Sequence, residues 1–249
     1  MKFQDFPTGR FYNEDCFDAM KEIPDGVIDM ILCDLPYGTT ACSWDAVIPF
    51  EPLWAAYRRI AKPNAAIVLT ASQPFTTLLI ASNLKDYRHS WVWDKGVAAS
   101  FALCNKAPMK VHEDIAVFSQ SAARYFPIMT PKDRPITVTH KQKQFETAPL
   151  AKRFDGPVTY THSYPRSVLP ISTRTEQGKK VHPTQKPVAL FEYLIKTYTN
   201  ENELVLDNTA GSGTTAIAAI NTNRKWVCIE KETEYYDKAI DRIIQHGFK

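Results

Sequence analysis

Asp34-Leu35-Pro36-Tyr37-Gly38 puts three kinds of functional group into five positions. A carboxylate, a backbone carbonyl held by proline geometry and an aromatic face can together accept both hydrogens of a planar exocyclic amine and stack on its ring. Without a ligand, the same residues are a Pro-Gly turn displaying a tyrosine. The apolar run Val27–Cys33 leads straight into them. The end of a parallel strand is where open α/β sheets place their chemistry.

A second segment, from Leu204 to Thr215, reads as a strand ending in Asp207, a loop carrying Gly211 and Gly213, and a small-residue helix opening at Thr214. The glycines let backbone approach a ligand closely, and the helix start offers unpaired N–H groups. The following strand ends in Glu230, 23 residues after Asp207. An acid there in a Rossmann-like unit can accept hydrogen bonds from both ribose hydroxyls. A Gly-Ser-Gly turn alone needs no ligand; the ordered strand, helix, strand and acid give it weight. The third segment, His182-Pro183-Thr184-Gln185-Lys186-Pro187, precedes a helix. Thr184 can cap that helix and Pro187 fits its first turn, which explains the segment without any ligand.

Alternating elements must hold these loops. Apolar patterning predicts strands at Val27–Cys33, Ala65–Thr70, Arg88–Trp93 and Asp114–Phe118, with helices at Pro52–Ala61 and Phe75–Asn83. After Pro187 come a helix to Thr199, a strand Glu203–Asp207, a helix Gly213–Thr222, a strand Lys225–Ile229 and a helix Thr233–Ile244. Such alternation predicts a mainly parallel sheet covered on both faces. Trp91 and Trp93 alternate along one strand before Asp94 and Lys95, which predicts one ring in the core and one near a cleft. Trp226 and Tyr235 are expected in the core or on a helix face, with flanking an adenine ring as the alternative.

Residues 124–180 differ in texture. Seven prolines fall between Pro127 and Pro170, and periodicity is lost. About 50 irregular residues are unusual in a compact domain unless they serve a function, so we expect an inserted, loop-rich lobe. From Ser121 to Lys186, twelve Lys/Arg face four Asp/Glu, a balance of +8 in a chain whose net charge is +3. A basic lobe on an acidic body fits a polyanionic partner.

The 249 residues, 44% hydrophobic and 23% charged, match a globular protein able to bury its own core. No apolar run approaches the ~18 residues of a membrane span, and residues 1–10 hold no signal-like apolar stretch, so a cytoplasmic location is expected. Five cysteines, an odd number without a C-x-x-C pair, predict buried reduced thiols. The six histidines lack ligand spacing, so no metal is expected.

Taken together, Asp-Leu-Pro-Tyr, His-Pro-Thr-Gln-Lys-Pro and Asp-Asn-Thr-Ala-Gly-Ser-Gly-Thr-Thr resemble motifs IV, X and I of the S-adenosylmethionine-dependent DNA amino-methyltransferases. Their order, catalytic motif first and cofactor loop last, resembles the β group of that family, of restriction–modification or phage type. The resemblance spans about residues 8–245. It implies a Rossmann-like class I methyltransferase fold: a seven-stranded, mainly parallel sheet with permuted motif order. Residues 1–123 would form the catalytic half, 124–180 the target-recognition lobe and 181–249 the cofactor half. S-adenosylmethionine is the implied cofactor. Duplex DNA is the implied partner, with no membrane; a homodimer is allowed.

For the site, the resemblance implies Asp34, Pro36 and Tyr37 as catalytic residues acting on a flipped base. Asp207, Gly211, Gly213, Thr214 and Glu230 would bind cofactor, with His182, Thr184 and Lys186 as further candidates. Lys152, Arg153 and Arg166 are candidate DNA contacts. Tetrads beginning with Asp resemble those of adenine-N6 enzymes, and cytosine-N4 is the alternative. Two departures stand out: Leu35 replaces the family's usual proline, and Asn208-Thr209 replaces the usual Pro-Phe, removing an aromatic wall. A non-catalytic DNA-binding relative would not need Asp34, Pro36 and Tyr37 intact. An NAD-dependent oxidoreductase would carry a third glycine after Gly213, where Thr214 and Thr215 stand.

Overall fold

The computed structural model describes residues 2–39, 45–99, 101–140, 156–173, 182 and 184–247. Chain contacts divide it into a body, Met1–Phe126 with Ser167–Lys249, and a small unit, Pro127–Arg166.

The body opens with β1 (Lys2–Phe6), β2 (Gly9–Asn13) and α1 (Cys16–Lys21), followed by β3 (Ile28–Asp34), α2 (Phe50–Ile60), β4 (Ala61–Ala71) and α3 (Phe75–Ser82). Next come β5 (Tyr87–Ala99), a single 3-10 turn at Phe101–Leu103, and β6 (Lys110–Phe118). The small unit holds β7 (Thr130–His140) and β8 (Gly156–Ser163). The chain returns through β9 (Val168–Pro170), α4 (Val188–Tyr198), β10 (Leu204–Asp207), α5 (Thr214–Asn221), β11 (Lys225–Glu230) and α6 (Thr233–Gly247).

Nine strands form one sheet in the order β1-β2-β11-β10-β3-β4-β6-β5-β9. The expected seven are its middle; the short strands β1 and β9 lengthen the edges and correct that count. β6 runs antiparallel to both neighbours and β1 to β2, while the remaining pairs are parallel.

β3 shows why this sheet needs two covers. Ile28 to Cys33 are all buried, and successive residues face opposite sides. Met30 and Leu32 join the cluster under α4, α5 and α6. Ile31 and Cys33 join the one under α1, α2 and α3. On α2, buried Leu53, Trp54, Tyr57 and Ile60 repeat at helical spacing, while Glu51 in the first turn and Arg58 and Arg59 in the last complement the helix dipole. On α5, Ala216, Ala218 and Ala219 are fully buried, so small side chains bring that helix close to the sheet.

β10 lies beside β3 at the centre, Val205 opposite Met30 and Leu206 opposite Ile31. From there, β3 proceeds through α2 to β4 on one side, and β10 through α5 to β11 on the other. The chain thus reverses its direction of travel between these two strands. Such a switch point opens a crevice at the strands' C-terminal ends.

Sequence patterning missed β1, β2 and α1, whose short polar-edged segments carry little periodicity. Residues 124–180 are also not uniformly loop. β7 and β8 pair antiparallel from Thr130↔Ser163 to His140↔Gly156, with a register shift between Pro131 and Ile136. The Pro-rich composition hid a ribbon with Ile136–Tyr160 and Val138–Val158 pairs on one face and the Thr137–Thr159 pair on the other.

The lobe's edges belong to the body. Arg124 Nη1 lies 2.6 Å from Glu203 and 3.6 Å from Asp29, and the ring of Tyr125 packs 6.1 Å from that of Tyr198. β9 pairs with β5. Residues 127–166 alone carry seven Lys/Arg and three Asp/Glu, a balance of +4 rather than +8. Cys16, Cys33 and Cys228 are buried thiols, but Cys104 is exposed, contrary to expectation; Cys42 lies outside the described residues. No helix among the described residues is long and apolar enough to cross a membrane.

Candidate active site

The crevice at the switch point is a cavity of about 680 Å³ whose lining includes Asp34, Pro36, Tyr37, Gly211, Glu230 and Lys186. Asp34 and Gly211 therefore share one cavity, although they lie far apart in the sequence.

Asp34 ends β3, and parallel pairing sets it opposite Thr70, the penultimate residue of β4. Its Oδ1 accepts hydrogen bonds from the Thr70 hydroxyl and, at 2.7 Å, from the Tyr37 hydroxyl. Its Oδ2 accepts from Lys186 Nζ at 2.6 Å. The Tyr37 ring stacks on Phe75 with centroids 5.1 Å apart. Burial, then the carboxylates of Asp34 and Glu113, push the Tyr37 phenol well above its ordinary value, so it remains a donor. Leu35 is 3% exposed and belongs to the core, which explains why an apolar side chain replaces the usual proline. Pro36 lines the cavity, and no donor among the described residues bonds its carbonyl. Asp45 closes the loop that follows, accepting from the backbone N–H of Gly38 and of Thr39 at 2.9 Å each.

The Asp207 loop satisfies itself. Asp207 accepts from the Thr209 N–H at 3.0 Å and from the Thr215 hydroxyl. Burial pushes its carboxyl up to about 7 against those bonds. The side chain thus shapes the loop from beneath. Gly211 and Gly213 adopt φ of 49° and 71°, a region that glycine enters without strain. A Cβ on Gly213 would stand 3.2 Å from Ile243 and 3.3 Å from Ala239, so its bareness makes room for α6 rather than for a ligand.

Glu230 Oε2 accepts from the Gly211 N–H at 2.8 Å and Oε1 from the Glu232 N–H at 2.8 Å. Burial raises its carboxyl. Each oxygen retains a lone-pair site for a hydroxyl from the cavity. Thr214 is buried, donating to the Lys186 carbonyl at 3.3 Å and receiving Arg242 Nη1 at 3.0 Å. It ties the His182–Lys186 segment and α6 to the loop.

The substituted positions join the two loops. Thr209 Oγ1 donates to the Asp34 carbonyl at 3.1 Å, a bond that phenylalanine cannot make. Asn208 Oδ1 accepts from the Tyr57 hydroxyl at 2.6 Å and from Cys33 Sγ at 2.9 Å, while its Nδ2 has no hydrogen-bond partner among the described residues.

His182 Nδ1 accepts from the Thr184 hydroxyl at 3.0 Å, and its ring packs edge-on against Tyr235, 4.2 Å between centroids. Burial lowers its pKa, which favours the neutral ring. Trp226 is fully buried, 5.3 Å from Phe6, whereas Tyr235 lines the cavity. Both strand tryptophans are buried, but only Trp93 also lines the cavity.

Lys186 is placed where the sequence did not put it. Its ammonium lies on Asp34 rather than on the Asp207 loop, with Glu113 Oε2 3.5 Å away. Glu113 in turn holds Lys95 at 3.1 Å through Oε1. Burial alone would lower Lys186; the two carboxylates outweigh it and hold the ammonium above the ordinary lysine value. Sequence reasoning missed Glu113, although it pairs with Trp93 across the β5–β6 ladder and strand alternation could have flagged it. Asp15, capping α1 through the Phe17 N–H at 2.9 Å, also lines the cavity and was missed with its helix.

Of the candidate DNA contacts, Lys152 and Arg153 lie outside the described residues; Arg166 is exposed at the end of the small unit.

A family model described as DNA methylase, of the N6/N4 type, matches residues 28–241. Two type II methyltransferases are similar in sequence. M.HpaI of Haemophilus parainfluenzae is 24% identical over 240 residues, 90% of this chain and 71% of that protein. M1.MboII of Moraxella bovis is 24% identical over 251 residues, covering 92% and 94%. Among solved structures, the M1.HpyAVI–SAM complex superposes with a TM-score of 0.61 at 23% identity, covering 94% of this chain and 99% of that one. The cytosine-N4-specific PvuII DNA methyltransferase gives 0.69 at 16% identity, covering 97% and 88%.

Proposed function

We propose that this chain, which belongs to the N6/N4 family of DNA methylases, methylates the N6 amine of adenine in duplex DNA. The observation that carries this reading is the carboxylate of Asp34 at the head of the tetrad, in one cavity with the Gly211 loop and Glu230. Asp-headed tetrads resemble those of adenine enzymes. The likeness to the PvuII enzyme is one of fold and carries no choice of base.

S-adenosylmethionine, the cofactor, supplies a methyl group made electrophilic by its sulfonium. The chain fits that molecule: the cavity has the size of a small-molecule site, and Asp34, Glu230 and Glu232 give it carboxylates that suit a cation. Glu230 and the Gly211 loop would hold its ribose end.

The acceptor amine is a poor nucleophile because its lone pair is delocalised into the ring. Asp34 Oδ2 and the Pro36 carbonyl accept its two hydrogens, which favours a tetrahedral nitrogen and aligns the lone pair for transfer. The base stacks on the face of Tyr37 opposite Phe75. Thr70 and the Tyr37 hydroxyl fix Asp34 Oδ1, so the carboxylate is oriented before the base arrives.

Nucleoside analysis of DNA treated with the enzyme and labelled cofactor tests the base. N6-methyladenine is expected; N4-methylcytosine would replace adenine and leave the family intact. Lys152, Arg153 and Arg166 of the basic 127–166 unit would bind phosphates. Neutralising all three should flatten the slope of log affinity against log salt by about 2–3, near 0.9 per phosphate contact. An unchanged slope would remove that unit from DNA binding.

A further inference from the structure

The oxygen of Asp34 that the target amine needs already carries a cation. Oδ1 carries two hydroxyls, Thr70 and Tyr37, and Oδ2 carries the Lys186 ammonium at 2.6 Å. An ammonium and an amine donate to a carboxylate oxygen in the same way, and Oδ2 has one lone-pair site left, so Lys186 would share that oxygen with the base. The nitrogen being methylated becomes cationic as its bond to carbon forms. A resident cation on the same oxygen would repel it. Lys186 must therefore leave Oδ2 for methyl transfer to proceed.

A second seat is built beside it. Glu113 Oε2 lies 3.5 Å from the ammonium, is buried, and has no hydrogen-bond partner among the described residues. Buried carboxylate oxygens are ordinarily satisfied, which makes this one an exception needing a reason. Lys95 pins the other oxygen of Glu113 at 3.1 Å and so keeps Oε2 facing Lys186. Both side chains of the Lys186–Glu113 pair are largely shielded, at 8% and 16% exposure, so water does little to replace a lost partner.

We infer that Lys186 is a placeholder for the target amine: its ammonium rests on Asp34 until a base enters, then withdraws to Glu113, whose Oε2 is the seat kept for it. Lys186 and Glu113 are positioning residues, since they act through Asp34. The exchange keeps a cation on Asp34 until DNA is bound. It also keeps the cation count of the pocket constant, because the charge moves from one carboxylate to its neighbour.

This inference rests on the reading that Asp34 receives the target amine. A double-substitution cycle tests it, with methyl transfer to DNA and cofactor binding both measured. Glu113→Gln should lower kcat at least tenfold and leave cofactor affinity within about twofold, because Lys186 then has no second partner. Adding Lys186→Met should recover several-fold of that loss, because no ammonium remains to be moved. Losses that multiply, as two independent structural defects would, overturn the placeholder.

Should Glu113→Gln fail to fold, Lys186→Met alone decides. With 2-aminopurine beside the target base reporting its unstacking, this variant should capture the base at several-fold lower DNA concentration. Simple loss of a positive charge would weaken capture instead, and weaker or unchanged capture overturns the inference. If Asp34→Ala methylates DNA as fast as the unaltered chain, the underlying reading fails. If Asp34→Ala is inactive while the cycle is multiplicative, only the placeholder fails.

Discussion

The two halves of the cavity hold their acids by different means. On the β10–β11 side, Asp207 is held by Thr209 and Thr215, eight residues away at most, and Glu230 by the N–H groups of Gly211 and Glu232. On the β3 side, Asp34 is held by Tyr37 of its own loop, by Thr70 and by Lys186, which lies 152 residues further along the chain. One half is preorganised within its own loops; the other adds to its local Tyr37 bond a cation that the fold delivers from a distant element. Local hydrogen bonds to backbone make a fixed cradle suited to binding. Exchangeable ion pairs make a site that can be reset at each turnover, which suits the step where the bond forms.

The largest expected effect lies on the exchangeable side. Asp34→Ala should reduce methyl transfer by about a thousandfold or more, in line with losing a group aimed at the reacting centre. Cofactor affinity, followed by calorimetry, should change only a few-fold. Complete loss of cofactor binding in a folded variant would show that the two halves are not separable.

Next comes the rigidity of the cradle. Gly213→Ala should destabilise the protein by ~2–4 kcal/mol in denaturant unfolding, combining a left-handed backbone with a Cβ pressed on α6. Gly26 shares the positive φ but has open space around it, so Gly26→Ala should cost only ~1–2 kcal/mol. Equal costs would mean that α6 yields and the cradle is softer than its geometry implies.

A pH dependence completes the comparison. An acid whose folded pKa is raised to about 7 keeps a proton that the unfolded chain has already released. Its contribution to stability is therefore fully present below pH ~4 and is lost as pH rises to about 7. Asp207→Asn keeps the neutral shape and removes that slope. Unfolding of the variant between pH 5 and 8 should diverge from the unaltered chain by at most ~3 kcal/mol, in the variant's favour at the alkaline end. Parallel curves would show that Asp207 is ionised in the folded state.

Much of this architecture was legible because it is local. The strand patterns at Val27–Cys33 and Glu203–Asp207, the glycine-bearing turn and the helix after it all show within a few residues. The elements that escaped notice were weakly patterned: the edge strand β1, the short helix α1, and the β7–β8 ribbon under its prolines. The basic count around the lobe misled because net charge ignores pairing. Arg124 and Lys186 sit in that stretch yet spend their charge on Glu203 and Asp34 of the body.

By itself the sequence determined which groups stand at strand ends, since apolar periodicity and turn residues depend only on near neighbours along the chain. The tertiary structure decided which acid meets which cation. Sheet order sets β3 beside β10 and β4, and the fold then carries Lys186 to Asp34 and leaves Glu113 within reach. The physical reason is distance: a carboxylate's partner is whatever cation packing brings within ~4 Å of it, and no spacing along the chain encodes that.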